Sequence, residues 1–259
     1  MGRSARPDGQ PRSTPGGAAP HRSARGAVRA GAPGGRVILA FLRHTAAISS
    51  SEVYLPDDRR VLTEDGRTHA VALRPVLRRF APDAVWCSPL RRAVQTWTLA
   101  GSGLGLDARP HEDLGERSFP SLAGLTLPQI AARIGPAQTA LARVSTDLVD
   151  PPGEESVRAA SRRLVVAMRS VAREAAALGA ERVLVVSHGG PSSWLLCHLL
   201  GVPLERNRVF RHDQGRFHLL EVDENLTLAT AIALNTAQLP EPRGAPEPPG
   251  QFTAPPSWH

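Results

Sequence analysis

The amino-acid sequence predicts an α/β protein, a three-layer α/β/α sandwich in which helices cover both faces of a mostly parallel sheet. Two short runs, 37–42 and 183–186, are apolar throughout, as in strands that are buried on both faces. Segments with apolar residues at helical spacing alternate with such runs along the chain. This alternation favours parallel strand pairs covered by helices on both sides.

The elements that follow the first strand are predicted in order. Thr63 can cap a helix, and Glu64 and Asp65 suit its first turn. Apolar residues continue at helical spacing as far as Phe80, so we predict one amphipathic helix over 63–80. A short strand at 84–87, a helix through 91–96 and an extended piece near 108–112 come next.

The second half of the predicted domain contains its longest helix. Residues 113–150 are predicted to form a loop with short helices, one of them capped by Thr126. Apolar residues then mark one face over about 154–178, and Gly179 ends that helix. A strand at 183–187, a helix at 192–200 and two strands, 217–222 and 226–234, complete the domain.

Most of the positive charge lies at one end of the chain. The formal net charge is +7, and residues 1–36 hold seven arginines against one aspartate. This segment is rich in Gly and Pro and shows no apolar period, and 240–259 is Pro-rich, so we expect two disordered tails around a catalytic domain at 37–239. We favour a solvated extension over a nucleic-acid-binding arm for residues 1–36, and expect no nucleic-acid partner.

Several protein classes are excluded by what the sequence lacks. No apolar run approaches the length of a membrane span, and residues 1–36 lack the apolar region of a signal peptide, so we expect a cytoplasmic protein without membrane contact. Cys87 and Cys197 have no metal-ligand spacing and are predicted to be small buried hydrophobes.

A histidine follows each of the two apolar runs. Arg43-His44 closes the first strand and His188-Gly189 closes the second. Because open α/β sheets place their ligands at the carboxyl ends of strands, these residues are predicted to meet. The Ser88–Ala93 segment starts a helix at the same edge and brings a second arginine there.

These residue types suit phosphoryl transfer. Planar guanidinium groups match the charge of a phosphoryl group well, so converging arginines indicate a phosphate pocket. A neutral imidazole such as that of His44 can attack phosphorus and form a phosphohistidine. His188 could then stabilise charge on the transferring oxygens.

A longer series of motifs carries a family resemblance. The blocks are Leu42-Arg43-His44, Leu62-Thr63-x-x-Gly66, Ser88-Pro89-Leu90-x-Arg92-Ala93-x-x-Thr96, Leu114-Gly115-Glu116-Arg117 with Gly124, Pro152-Gly153-Glu154-Glu155-Ser156, Val186-Ser187-His188-Gly189-Gly190 and Leu234-Asn235. In this order they resemble the histidine phosphatase superfamily, with its phosphoglycerate mutase-like fold, over roughly 37–239.

The resemblance implies a role for each site residue. His44 would be the nucleophile that becomes phosphorylated, and Arg43, Arg92 and His188 would bind the phosphate. Glu116 would protonate the leaving oxygen and later activate water, for which partial burial would have to hold its pKa near neutrality. The resemblance implies neither a metal nor a cofactor.

The chain departs from the family directly after the nucleophile. Thr45 stands where the family usually has glycine, and Ala46, Ala47 and Ser50 replace its usual acidic, hydroxyl and asparagine positions. Thr45 could narrow the pocket or donate an extra hydrogen bond to phosphate, and both alternatives stay open. We include Thr45 and Gly189 among the candidate phosphate-binding positions.

The expected activity is hydrolysis of a small phosphorylated metabolite by a histidine acid-phosphatase-type phosphomonoesterase. A mutase needs a substantial lid to shield its intermediate, yet only 72 positions separate Glu116 from His188, and the C-terminal segment is Pro-rich rather than basic. The alternatives are a phosphoglycerate-type mutase, a protein-phosphohistidine phosphatase, and a non-catalytic member that binds a phosphorylated ligand or nucleic acid. Substrate identity and oligomeric state are left open.

Overall fold

The computed structural model describes residues 36–49, 53–144 and 149–241. The tails predicted over 1–36 and 240–259 lie outside the described residues apart from Arg36 and 240–241, so both stay predictions. Ser50 also lies outside them.

A six-stranded mixed sheet forms the centre of the fold. Its strands are β1 (Val37–Arg43), β2 (Ala84–Cys87), β3 (Arg109–Pro110), β4 (Arg182–Ser187), β5 (Phe217–Val222) and β6 (Leu228–Thr236). They are ordered β3-β2-β4-β1-β5-β6. The first four of these positions pair in parallel, whereas β5 and β6 are antiparallel at one edge. The predicted mostly parallel sheet is therefore confirmed.

Helices cover both faces of the sheet. They are α1 (Glu64–Ala72), α2 (Arg74–Phe80), α3 (Arg91–Ala100), α4 (Leu127–Val144), α5 (Val157–Ala177) and α6 (Gly189–Leu200). Phe41 and its face of the sheet pack against Leu164 of α5 and Trp194 of α6. The opposite face packs against Leu77 of α2 and Trp97 of α3. Each such side chain contributes about 1.5–3 kcal/mol through burial, and the predicted three-layer sandwich is confirmed.

The single helix predicted over 63–80 is wrong, because the structure has two. α1 ends at Ala72 and α2 begins at Arg74, with Pro75 in its first turn. Proline lacks an N–H donor and its ring clashes with the preceding turn, so it disrupts the interior of a helix but is tolerated in the first turn, where Pro75 lies in α2. The predicted cap is confirmed, since the Thr63 side chain accepts from the Gly66 N–H.

The 113–150 region contains short helices between loops, in agreement with the prediction. α4 consists of two short helices that meet at Gly135, where the backbone is not helical and φ is 80°. Thr126 starts it as predicted: its side chain accepts from the Gln129 N–H at 3.4 Å, and the Gln129 side chain accepts from the Thr126 N–H at 2.8 Å. This reciprocal pair is a capping box, which stabilises a helix start.

Other boundaries differ by a few residues. The Ser156 side chain accepts from the Ala159 N–H, so α5 starts at Val157 rather than near 154. α6 starts at Gly189, directly after His188, rather than at 192. Across the three described ranges, no helix is both long and apolar enough to span a membrane.

Candidate active site

Strand register brings the two predicted histidines together. β1 and β4 run in parallel with Arg43 beside Ser187, and the His44 N–H donates to the Ser187 carbonyl at 2.9 Å. The ring centroids of His44 and His188 are 5.2 Å apart. The Ser88 N–H donates to the Val186 carbonyl at 2.9 Å, so the end of β2 lies at the same edge.

The His44 imidazole is held in one tautomer. Its Nδ1 lies 2.7 Å from the Thr45 carbonyl oxygen, which can only accept, so Nδ1 carries the hydrogen and Nε2 keeps its lone pair. His44 is 5% exposed. Burial, with smaller contributions from the charges of Arg92 and Arg43, lowers its pKa to about 3. The ring is therefore neutral at physiological pH, which a nucleophilic imidazole requires.

His188 is fully buried beside it. Its Nε2 lies 2.7 Å from the Ser88 hydroxyl, and its Nδ1 is buried without a hydrogen-bond partner among the described residues. Burial and then the charge of Arg92 lower the pKa of His188 well below its ordinary value. A neutral ring that accepts from Ser88 at Nε2 keeps a hydrogen on Nδ1, which can be donated to a phosphoryl oxygen.

Arg92 brings its charge to the same place from the first turn of α3. Its side chain is only 1% exposed, and Nη1 donates to Asp57 Oδ1 at 2.7 Å. Burial lowers the pKa of Arg92, although Asp57 partly opposes this. A guanidinium stays protonated in proteins, so a buried positive charge faces the histidines.

Arg43 lies at the end of β1 against the start of α6. Its Nη1 donates to the carbonyl oxygen of His212, a residue buried beneath the site. A Cβ at position 189 would lie 3.0 Å from the Arg43 Cζ atom. Because Gly189 has no side chain, it leaves room for this guanidinium.

Glu116 meets the site from a loop. Its Oε2 accepts from the Gly190 N–H at 3.0 Å, and its Oε1 accepts from the Arg117 N–H at 3.1 Å. Gly190 lies in the first turn of α6, where N–H groups and the helix dipole favour an acidic group. A Cβ at position 190 would collide with the Glu116 carboxylate. The structure thus brings six of the candidate residues together, and their catalytic and binding roles stay predictions: Arg43, His44, Arg92, Glu116, His188 and Gly189.

Thr45 points into the protein. Its N–H donates to Thr96 Oγ1 at 3.1 Å, and the two hydroxyls are 3.3 Å apart. The Thr96 hydroxyl hydrogen is donated to the Arg92 carbonyl at 2.7 Å, so the Thr45 hydroxyl must be the donor to Thr96. This hydroxyl has a partner within the protein, and its role in phosphate binding stays a prediction.

Arg163 was not identified from the sequence, yet it holds the Glu116 loop. Its Nη1 donates to the carbonyls of Asp113 at 2.9 Å and Gly115 at 3.0 Å. Its Nε and Nη2 pair with the two Glu155 oxygens at 2.6 and 2.9 Å. A planar guanidinium paired with a carboxylate in this bidentate way is rigid, so it fixes the backbone that leads to Glu116.

Asp57 and Arg60 were also missed. Asp57 Oδ1 accepts from Arg92, and the Arg60 Nη1 lies 3.8 Å from the same oxygen. Both belong to the Asp57-Asp58-Arg59-Arg60 run, which has the composition of a solvated turn. Nothing in the local sequence separates the two inward residues from their exposed neighbours.

Two segments lie around the opening of the site. The Tyr54 N–H donates to the Leu125 carbonyl at 2.9 Å, and the Gly124 N–H donates to the Tyr54 carbonyl at 3.0 Å. These bonds join segment 53–62, which carries Asp57 and Arg60, to segment 112–126, which carries Glu116. We call these two segments the mouth, and Arg43, His44, Arg92 and His188 the floor.

The sequence profile of the histidine phosphatase superfamily (branch 1) matches residues 39–234. The chain belongs to this superfamily. Glucosyl-3-phosphoglycerate phosphatase of Mycobacterium tuberculosis is 35% identical to it over 147 residues, which are 55% of this chain and 66% of that relative. A 2,3-bisphosphoglycerate-dependent phosphoglycerate mutase of Methylorubrum extorquens is 36% identical over 125 residues, 46% of this chain and 57% of that relative. The chain thus matches less than two thirds of the length of these relatives.

Solved structures of histidine phosphatases share the fold. The α-ribazole phosphatase from Shigella flexneri superposes with a TM-score of 0.66 at 25% identity, covering 78% of this chain and 98% of that one. A mycobacterial glucosyl-3-phosphoglycerate phosphatase superposes with a TM-score of 0.62 at 27% identity, covering 77% and 99%. The predicted family and its phosphoglycerate mutase-like fold are confirmed.

Proposed function

We propose that this histidine phosphatase superfamily member is a phosphomonoesterase that hydrolyses a small phosphorylated metabolite through a phosphohistidine on His44. The observation that carries the proposal is the state of His44: a neutral ring whose Nε2 keeps its lone pair, close to the buried guanidinium of Arg92. Phosphatases among the relatives support it.

In the first step, the floor binds the phosphoryl group. Arg43 and Arg92 offset the negative charge of its oxygens, the Nδ1–H of His188 donates to one of them, and Nε2 of His44 attacks phosphorus. The bond from phosphorus to the ester oxygen breaks, and that oxygen takes a proton from Glu116. The Thr45 carbonyl accepts the Nδ1–H of the phosphorylated ring and so stabilises the positive charge that the ring gains.

In the second step, the free Glu116 carboxylate takes a proton from water. The resulting hydroxide oxygen attacks phosphorus, the N–P bond breaks, and inorganic phosphate leaves. His44 regains its lone pair and Glu116 its proton, so the cycle closes without another reactant.

Glu116 must hold a proton before the first step. The two N–H groups that donate to its oxygens stabilise the carboxylate form in the free enzyme. A phosphate dianion bound beside it favours the protonated form, because two negative groups repel. We infer that Glu116 takes up its proton together with the substrate.

Trapping the intermediate tests the proposal. A ³²P-labelled phosphomonoester, quenched in alkali during turnover, should leave label on the protein that acid releases, as a phosphohistidine requires. His44→Ala should lose the label and at least about 10³-fold in turnover, while circular dichroism shows the same fold. Turnover by His44→Ala within tenfold of the wild type would overturn the proposal.

A phosphoglycerate mutase is the second candidate function, because a mutase is among the relatives. Incubation with 3-phosphoglycerate distinguishes the two: a phosphatase releases inorganic phosphate, whereas a mutase forms 2-phosphoglycerate without net release. Glucosyl-3-phosphoglycerate and α-ribazole 5′-phosphate belong in the first substrate screen, and a phosphohistidine-bearing protein tests the remaining enzymatic alternative.

A further inference from the structure

Arg60 is a third guanidinium close to the reacting histidine, beside Arg43 and Arg92. It follows the turn at Asp57–Arg59 in the mouth, and its Nη1 lies 3.8 Å from Asp57 Oδ1. Burial is the main cause of the lowered pKa of His44 and of His188, and the positive charge of Arg60 contributes to both. Its charge therefore acts on the centre of the site.

Among the described residues, the charge of Arg60 is only partly neutralised. Asp57 is its carboxylate partner, but the same oxygen makes the shorter contact, 2.7 Å, with Arg92. The Arg60 Nε is buried, and among the described residues it has no hydrogen-bond partner. A buried donor without a partner is costly, and a ligand oxygen would remove that cost.

Arg60 lies less deep than two of the floor groups, His44 and Arg92, whereas Arg43 is half-buried, as Arg60 is. His44 is 5% exposed and the Arg92 side chain 1%, whereas the Arg60 side chain is 26% exposed. The phosphoryl group must reach Nε2 of His44 on the floor, so the rest of the substrate extends outward through the mouth. A guanidinium at this depth meets the part of the substrate beyond the ester oxygen.

We propose that Arg60 binds a second anionic group of the substrate, a carboxylate or a second phosphate, so that the enzyme prefers phosphomonoesters that carry two anionic groups. The inference rests on the proposed phosphatase activity and adds its substrate class. Asp57 positions Arg60, because its Oδ1 lies between the two guanidinium groups.

Two matched substrate pairs test the inference. 3-Phosphoglycerate and glycerol 3-phosphate differ only in a carboxylate in place of a hydroxymethyl group, and fructose 1,6-bisphosphate and fructose 6-phosphate differ in the second phosphate. The kcat/KM for phosphate release is measured for all four with the wild type, Arg60→Gln, Arg60→Lys and Arg59→Gln. Arg59 is the control, since it is the exposed neighbour of Arg60.

In at least one pair, we expect the wild type to have a kcat/KM about 10- to 100-fold higher for the member with two anionic groups. A difference of this size corresponds to one hydrogen bond between charged groups. Arg60→Gln should abolish that preference, mainly by raising KM for the member with two anionic groups. Its kcat/KM for the other member should stay within about threefold of the wild-type value. Arg60→Lys should restore part of it, and Arg59→Gln should change nothing. The pair that shows the preference identifies the second group.

Two results would overturn the inference while leaving the phosphatase proposal intact. One is the absence of a preference in both pairs, and the other is an equal loss on both members with Arg60→Gln, which would place Arg60 on the transferred phosphoryl itself. Release of phosphate from none of the four compounds, nor from p-nitrophenyl phosphate, would overturn the proposed function and this inference with it.

Discussion

The floor of the site rests on the ends of β1 and β4 and the start of α3, whereas its mouth consists of two segments that lie outside the sheet. The floor groups are held by the strand register and by the bond from the Thr96 hydroxyl to the Arg92 carbonyl in α3. The mouth depends on distant contacts, such as those that Arg163 makes with the backbone before Glu116. We therefore propose that the floor carries out the reaction and that the mouth selects the substrate.

The largest loss of activity from a change in the mouth is expected for Glu116→Gln, which leaves the floor groups in place. The amide cannot supply a proton, so hydrolysis of alkyl phosphates should fall by about 10²- to 10⁴-fold. With p-nitrophenyl phosphate, the rate at which His44 is phosphorylated should fall far less, because nitrophenolate leaves without protonation. Burst kinetics with both substrates measure this difference, and an equal loss of the phosphorylation rate on both would contradict the role of Glu116 as the acid.

The contrast between the two regions also explains what could be predicted from the sequence. Both histidines directly follow apolar runs, so their meeting at one edge follows from strand pairing, a local and regular pattern. Asp57 reaches Arg92 across 35 positions in a turn that local composition describes as solvated. The break at Pro75 could be predicted from the sequence, since proline is tolerated in the first turn of a helix but disrupts its interior. The partner of the Thr45 hydroxyl could not be predicted, because the same sequence allows this hydroxyl to point to phosphate or to Thr96.

Stability should depend on pH through the buried histidines of the floor and the layer beneath it. Burial is the main cause that lowers the pKa to about 3 for His44, about 2 for His212 and about 4 for His218. The unfolded chain binds protons near the ordinary value of 6.5, while the folded protein does not. The free energy of unfolding should therefore be greatest above that pH and fall between about pH 6.5 and 4, by up to about 1.4 kcal/mol per pH unit for each such ring.

His218→Phe provides the matched variant for this pH dependence. It removes one titrating ring but keeps an aromatic side chain, so the slope should decrease by about one proton even if the variant is less stable at every pH. Urea unfolding at pH 7, 6 and 5 gives both slopes. A slope that does not differ between the two proteins would contradict the assignment of a neutral His218.

Thr45→Val should have the smallest effect. It removes the hydroxyl donor to Thr96 and keeps the shape, so we expect a loss of about 0.5–1.5 kcal/mol in unfolding free energy and a change in kcat/KM of less than about threefold. A loss of 100-fold in kcat/KM at unchanged stability would instead show that Thr45 binds phosphate. Thermal unfolding and steady-state kinetics on one substrate are sufficient.

Gly189 and Gly190 limit the ways in which this scaffold can evolve new specificities. Any side chain at these positions would displace the Arg43 guanidinium or the Glu116 carboxylate. We therefore expect a mutation at either position to lower turnover. New specificities should arise instead in the two outer loops, where insertions and changes of charge leave the floor in place.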